Sequence, residues 1–443
     1  PESVRGGYTQ AATRYGNTRV DSLDARASGD VIDLWSGPVG ASFGVEWRRD
    51  FKLDRKLPFI GKNPADSGLD PNDNDIIVMS PRDVFRASRT IASAYAETAV
   101  PLVSRRNNLP LVRSLDLSAS ARFERYSDFG DTTKPKLGLT WRPHSRVLLR
   151  TSRNEGFLAH DLTRVYAPTQ FSRTSPPGEL DTVRSNFFTG AGRPADTRVL
   201  TINYNIANRE LQPEVSRGIS AGFGLEVPGI KGLTVTADYW QIDQSNVIGS
   251  YSDAQLFNSD ATKLNAYIQS QLAAGRTITQ IDVGSGTPAY KGDPAIVRTA
   301  PTAADVAAFA TYNAGKPAAQ QAAVVGNILS RSIQFQNLAK GYASGLDLSV
   351  GYQIPAERFG RFSFNADWSY LIRNYQLRDV PGRAPDFIER LNVEGATRWR
   401  GTTSVNWRKG AWSAGLSGYY IGRFADSASI TAASSSSRGT VSK

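Results

Sequence analysis

Apolar and polar side chains alternate with a period of two along much of the chain. Between Gly37 and Arg48, Val39, Ala41, Phe43, Val45 and Trp47 fall on one face, and Gly40, Ser42, Gly44, Glu46 and Arg48 on the other. Successive side chains of a β-strand point to opposite faces, so this stretch reads as a strand with one apolar and one polar side. The pattern recurs over Leu115–Phe123, Leu137–Trp141, Ile219–Leu225, Leu233–Tyr239, Leu346–Tyr352, Phe362–Tyr370, Trp399–Trp407 and Trp412–Tyr420. Weaker versions lie at Leu23–Trp35, Ala92–Val100 and Val147–Thr151, which gives roughly twelve strands.

Several apolar rows end in Trp, Tyr or Phe, as an aromatic girdle at a membrane–water boundary would require. A soluble β-sandwich also alternates, but its strands average ~5–6 residues. Several stretches here alternate for about ten or more.

The connections sharpen this reading. Short ones fall at Arg142–Arg146, Val227–Gly232, Ile354–Gly360 and Arg408–Ala411, and long ones at Asp50–Ser88, Arg153–Pro213, Asp243–Gln334 and Arg373–Ala396. Outer-membrane barrels have short periplasmic turns and long outside loops. Gly37–Arg48, Leu115–Arg125 and Leu233–Gln241 then run outward, and Leu137–Arg142, Ile219–Glu226 and Leu346–Tyr352 run inward. Within the long loops, Ser252–Ala274 begins with a Ser-Asp cap and predicts a helix. Ala-rich Pro301–Ala310 and Ala318–Leu329 also predict helices. Asn63–Asp75 is turn-rich, and its Asp spacing invites a calcium reading. It lacks the glycine placement and distal Glu of an EF-hand, so a solvated loop is expected. The Ser-rich tail Ser434–Lys443 reads as loop.

Composition narrows the function classes. Cysteine is absent from the 443 residues and histidine occurs twice, which leaves no disulfide framework and no His-rich metal site. No run approaches the ~18 apolar residues of a membrane helix, a test to which a barrel strand is blind. The chain starts at Pro1 without a leader, as a mature form or a fragment would. Its net charge of +11 is dispersed through strands, turns and loops, which argues against nucleic acid. It suits anionic solutes or lipopolysaccharide phosphates. No P-loop, Gly-x-Ser-x-Gly elbow, His-Glu-x-x-His or Cys-based zinc site is found, so neither an enzyme nor a cofactor is expected. Arg122 and Glu124 share a strand face and read as a charge pair bracing the interior.

Five stretches resemble the barrel of TonB-dependent receptors. They are Tyr126-Ser-Asp-Phe-Gly-Asp-Thr-Thr-Lys-Pro-Lys-Leu-Gly-Leu-Thr-Trp141, Gly156-Phe-Leu-Ala-His-Asp-Leu-Thr-Arg-Val-Tyr166, Asn208-Arg-Glu-Leu-Gln-Pro-Glu-Val-Ser216, Leu233 to Asn246 with its Asp238-Tyr-Trp240 core, and Gly341-Tyr-Ala-Ser-Gly-Leu-Asp347. They stand in the family's order and together cover most of Asp30 to Phe424. The departures are Leu158 for the usual Arg, His160 for Pro and Arg209 for Pro. Haem-uptake members place a His between the second and third stretches. None lies between Tyr166 and Asn208 here, so haem is not expected.

The resemblance implies an all-β fold: an antiparallel transmembrane β-barrel, partial, with about 12 of an expected 22 strands and long extracellular loops carrying short helices. Residues 1–443 form one barrel fragment; a plug domain, a TonB box and the family's final strand are not found in it. The resemblance further implies an outer-membrane receptor that captures a scarce solute of the siderophore, cobalamin or oligosaccharide class and imports it with TonB-transmitted energy. The TonB complex would act through a plug domain, and outer-membrane lipid and lipopolysaccharide would surround the barrel. A passive porin is the alternative. The candidate solute contacts are Arg153, Asn154, Phe157 and His160 above one strand, and Glu46, Arg48, Tyr126, Asp238 and Trp240 near the lumen top. His160, a lone histidine, reads first as structural.

Overall fold

A computed structural model describes residues 13–72, 82–173, 179–187, 198–199, 201–356, 358–380 and 383–425. The first six strands are β1 (Arg14–Leu34), β2 (Gly37–Lys56), β3 (Phe85–Val103), β4 (Ser114–Tyr126), β5 (Gly130–His144) and β6 (Val147–Leu158). Four short ones follow: β7 (Gln170–Arg173), β8 (Glu179–Leu180), β9 (Arg198–Val199) and β10 (Ile202–Ile206). Then come β11 (Glu214–Glu226), β12 (Leu233–Gly249), β13 (Ile296–Arg298), β14 (Ile328–Gln334) and β15 (Gln336–Ala356). The last are β16 (Gly360–Val380), β17 (Arg383–Glu389), β18 (Trp399–Lys409) and β19 (Trp412–Ile421).

One antiparallel sheet follows the path β1-β2-β3-β4-β5-β6-β11-β12-β15-β16-β18-β19, with β17 folded back on β16. These are the roughly twelve strands that alternation predicts, and the three weakest stretches fall in β1, β3 and β6. Among the described residues β1 and β19 are its two edges and do not pair, so the sheet is an open part of a barrel wall.

The strands run further than the alternation does. β1, β15 and β16 each have 21 residues, or ~70 Å at ~3.4 Å per residue, against a hydrocarbon core of ~30 Å. The wall therefore projects well beyond the lipid. There the outward face meets water and the apolar row stops, while backbone pairing continues. This corrects the loop boundaries: residues 50–56 belong to β2, 85–88 to β3, 153–158 to β6 and 243–249 to β12. Most of the expected loop Arg373–Ala396 is the end of β16 together with β17. The connection lengths also break strict alternation. The outer β4–β5 turn spans only 127–129, and the inner β3–β4 link spans 104–113.

The outside connections 159–213 and 250–335 fold into a cap. Its mixed sheet runs β13-β14-β10-β7, with β10 and β14 parallel. The helix Asp253–Ala273 forms where expected, opened by reciprocal Ser252–Gln255 hydrogen bonds. A second, Ala303–Asn313, opens on Thr302 and Asp305. Ala318–Leu329 is not helical: one 3₁₀ turn at Ala318–Gln320 gives way to extended chain. Asn313 holds that chain, accepting from the Ala322 amide and donating to its carbonyl, both at 2.9 Å or less. Ala322, Ala323 and Val325 are thereby buried against Leu264, Ile268 and Phe309, so tertiary packing overrides alanine's helix propensity. The turn at 63–72 is closed by Asn63 Nδ2 donating to the Asp70 carbonyl at 2.8 Å. The remainder of Asn63–Asp75 and the tail Ser434–Lys443 lie outside the described residues.

Buried charge joins the two halves of the cap. Arg298 donates to Asp181 Oδ2 at 2.6 Å and to Asp260 Oδ2 at 2.7 Å. Tyr290 and the Asp293 amide also donate to Asp260. Burial works against the Arg298 charge, but Asp181 and Asp260 outweigh it and hold its pKa above the usual arginine value. The buried apolar clusters sit mainly in this cap, whereas the sheet leaves Phe43, Val45, Leu137, Phe223 and Leu416 exposed on its apolar face, as lipid-facing rows require.

Candidate functional site

Register places the polar rows of β2, β3 and β4 side by side. Glu46 pairs with Ser93 and Ser93 with Glu124; Arg48 pairs with Ile91 and Ile91 with Tyr126. The side chains link into a chain of charge. Arg122 Nη2 donates to Glu46 Oε2 at 2.6 Å and Arg122 Nε to Glu124 Oε1 at 2.5 Å, and the Tyr126 hydroxyl donates to Glu124 Oε2 at 2.9 Å. Arg48 Nε lies 3.2 Å from Asp50 Oδ1. The Arg122–Glu124 pair is thus the middle of a network that spans three strands. Gly44 makes room for it: a Cβ there would collide with the ring of Tyr95, over which Arg122 lies at 5.9 Å.

At the outer end this network meets a second one. Arg89 of β3 holds Asp128 of the β4–β5 turn with Nε and Nη2, the latter at 2.7 Å. Both side chains are buried, at 5% and 4% exposure. Arg89 Nη1 donates to the His160 carbonyl at 3.0 Å, and Nη2 lies 2.8 Å from His160 Nδ1. The rings of Tyr126 and Phe129 stack at 4.3 Å, and Phe157 and His160 meet them edge-on at 5.7 and 4.9 Å. Asp161 caps the short helix Leu162–Tyr166, accepting from the Thr163 amide at 2.7 Å, and Leu162 packs on Phe85 and Ala87 of β3. The backbone of Leu211, a residue 1% exposed, acts on the imidazole and favours its charged form. Burial and then the Arg89 charge push the His160 pKa below the ordinary histidine value. The first three family-like stretches therefore converge on one buried spot, where the cap is pinned to the wall.

The fourth and fifth stretches meet further round. Trp240 pairs with Gly345, where a Cβ would meet the indole at 2.6 Å, so glycine lets the ring lie flat on the wall. Asp238 takes Arg150 through a two-point ion pair, with Nε to Oδ1 at 2.7 Å. Asn154 covers Gly218 on this same polar row.

Glu46, Tyr126, Phe157 and His160 are thus brought together, with Arg48 beside them, while Asp238, Trp240 and Asn154 lie on another sector. Asn154, Arg153 and Phe157 are in β6, not above it. Arg153 pairs with Ile219 and Leu137 on the opposite, outward row. Arg89 and Asp128 are the members that sequence reasoning missed. Asp128 stood inside the Tyr-Ser-Asp-Phe-Gly stretch. Arg89 was hidden at a strand end, although the parity Phe85, Ala87, Arg89, Ile91, Ser93 marks it as inward.

Below the network the polar wall forms a cleft of about 550 Å³ lined by Arg26, Ser42, Tyr95, Glu97, Arg122 and Lys134. Lys134, Arg26 and Glu97 have no ion-pair partner among the described residues, so two unpaired cations stand against one unpaired carboxylate in the cleft. No group of three or more metal-ligating side chains is present among the described residues.

The sequence matches the family described as TonB dependent receptor-like, beta-barrel, over residues 2–441. No curated protein sequence matches it. Among solved structures it is similar to the siderophore receptor PirA from Pseudomonas aeruginosa, with 14% identity and a TM-score of 0.44 over 91% of this chain and 49% of that one. It is also similar to the ferric enterobactin receptor PfeA of Pseudomonas aeruginosa in complex with BCV-L6, with 14% identity and a TM-score of 0.50 over 92% and 42%. A third is a double mutant of the Serratia marcescens hemophore receptor HasR in complex with its hemophore HasA and heme, with 13% identity and a TM-score of 0.49 over 93% and 52%. At these identities the likeness is one of fold. The chain spans about half the length of the solved receptors it matches.

Proposed function

This chain belongs to the TonB-dependent receptor β-barrel family, and we propose that it builds wall and capture surface for an outer-membrane receptor that imports a scarce solute. The family is one of receptors, not of enzymes. Residues 1–443 act as one barrel unit in this reading. A plug domain gates the lumen, and TonB supplies the work from the periplasm.

The observation that carries the reading is the pinning of the outer cap to the polar wall by Arg89, Asp128 and His160. A passive pore has no use for a rigid lid seated on charged lumen residues. A receptor that must hold a solute before moving it does. In this scheme Glu46, Arg48, Tyr126 and Phe157 line the capture sector, with His160 positioning the cap. Asn154, Asp238 and Trp240 form the neighbouring sector of the wall. Arg153, on the outward row, takes no part. The positive cleft beneath Arg122 favours an anionic solute, which places a metal-chelating siderophore ahead of cobalamin or a neutral oligosaccharide.

The test is uptake of radiolabelled siderophore, cobalamin and oligosaccharide panels by cells carrying the full-length receptor. The expected result is saturable uptake of one anionic member that stops when TonB is deleted. Uptake that persists without TonB would make this a passive barrel.

A further inference from the structure

The outward face of β6, β11, β12, β15 and β16 carries a feature that solute import does not explain. Tyr239, Leu346 and Tyr370 share one register row. One step toward the outer end, Arg153 and Arg373 share the next, across Ile219, Gln241 and Ser344. The row beyond holds Glu155, Arg217, Asp243, Tyr342 and Tyr375, and Lys340 stands above it beside Leu377. A cleft of about 310 Å³ opens here, lined by Arg217, Asp243, Lys340, Tyr342, Tyr375 and Leu377. The Tyr342 and Tyr375 rings stack at 5.1 Å and interplanar 20°.

Four cations meet two carboxylates on this patch. Glu155 is shared by Arg217 at 3.3 Å, with the arginine side chain still 66% exposed. Asp243 accepts from the Gln241 amide at 2.8 Å, which in turn accepts from Tyr239. Arg153, Lys340 and Arg373 are exposed and have no ion-pair partner among the described residues. A basic side chain on the lipid face costs about 2–4 kcal/mol at the bilayer midplane but only ~0–1 near the interface. Tyrosines mark that interface, so cations one step beyond Tyr239 and Tyr370 lie at head-group depth. Their outward neighbours there are lipid phosphates. Arginine forks match phosphate oxygens, and a lysine adds a point charge.

We propose that this outward cleft binds the phosphorylated head group of an outer-leaflet lipid. Arg217 and Lys340, which line the cleft, hold the phosphate oxygens, Arg373 adds its charge from the row below, and the Tyr342–Tyr375 pair supports the adjoining sugar or acyl carbons. The proposal rests on the outer-membrane placement given above. Asp243 lines the cleft while accepting from Gln241, and its carboxylate sets the limit of the anion site.

Native mass spectrometry of the full-length receptor in detergent tests it, with three probes: bis-phosphorylated lipid A, the same lipid dephosphorylated, and inorganic phosphate. The expected result is retention of one bis-phosphorylated lipid, with at least tenfold weaker binding of the dephosphorylated form. The same loss is expected for a Lys340→Gln/Arg373→Gln double variant, in which no ion pair is broken. Equal binding of both lipids, or no loss in the double variant, overturns the proposal. Inorganic phosphate binding as tightly as the lipid overturns it too, because the site would then take a free ion. Migration on SDS gels without heating is read in parallel. A receptor that shows no heat-sensitive compact form fails the barrel reading itself, whereas a compact form with unchanged lipid binding sinks only the lipid site.

Discussion

Arg89 Nη2 lies 2.8 Å from Nδ1 of His160, joining residues 71 positions apart. A guanidinium can only donate, so Nδ1 accepts and the imidazole proton sits on Nε2. The neutral ring is therefore part of the joint between the wall and the cap, and both partners of Arg89, the Asp128 carboxylate and this ring, depend on its charge.

The joint is expected to loosen in acid. The folded pKa of His160 is depressed by burial and by Arg89. Its stabilisation is then complete above the ordinary histidine value of ~6.5 and is lost as pH falls through the depressed value. Protonation removes the acceptor and sets a second cation against Arg89. Hydrogen-exchange protection of residues 160–166, corrected for intrinsic rates, should fall between neutral and mildly acidic pH. His160→Asn keeps an acceptor and does not titrate, so it should flatten that dependence. An unchanged acid response in the Asn variant would assign the effect elsewhere.

Removing the cation is more damaging than removing the ring. Arg89→Ala leaves Asp128 buried without its ion partner, a loss of about 3–5 kcal/mol. His160→Ala removes one hydrogen bond and should cost about 1–2 kcal/mol. Protease nicking of the outer loop 159–213 reads the difference, with Arg89→Ala cleaved first. Equal sensitivity would show that Arg89 does not govern the joint.

Arg298 unites the two cap loops. Arg298→Met strands Asp181 and Asp260 in a dry interior and should cost the cap about 3–5 kcal/mol, while the heat-sensitive barrel persists. Adding Asp181→Leu and Asp260→Leu should recover part of that loss, because no buried charge then remains unpaired. Exchange protection of the helix Asp253–Ala273 measures both. A triple variant weaker than the single would contradict the account.

Gly345→Ala tests the lumen wall. The new Cβ needs the space of the Trp240 indole and should cost about 1–3 kcal/mol through displaced packing. Solute uptake should drop while outer-membrane levels of the receptor hold. Normal uptake would remove Trp240 from the transport path.

Strand existence was legible wherever lipid demands an apolar row, as in Val39–Trp47 or Ile219–Leu225. Beyond the lipid that demand ends, so the upper parts of β6 and β16 read as loops although backbone pairing continues through Arg153 and Arg373. Tyr126, Phe157 and His160 were legible because they lie in family-like stretches. Their binding agent, Arg89, was not: parity puts it on the inward face, but no local signal points to its partners, which come from residues 128 and 160. The extended path of Ala322–Val325 was equally hidden, since Asn313 and Phe309 impose it from a distance.

Cysteine scanning along β12 tests the central claim most directly, that this is an outer-membrane receptor barrel with one face to water and one to lipid. Residues 1–443 hold no cysteine, so each thiol introduced into β12 is the sole one within them, and labelling is read against the parent receptor. In the full-length receptor in outer-membrane vesicles, a membrane-impermeant maleimide should label cysteines at Thr236, Asp238 and Trp240 and spare those at Val235, Ala237 and Tyr239. Labelling of both sets alike, or of the second set alone, would contradict it.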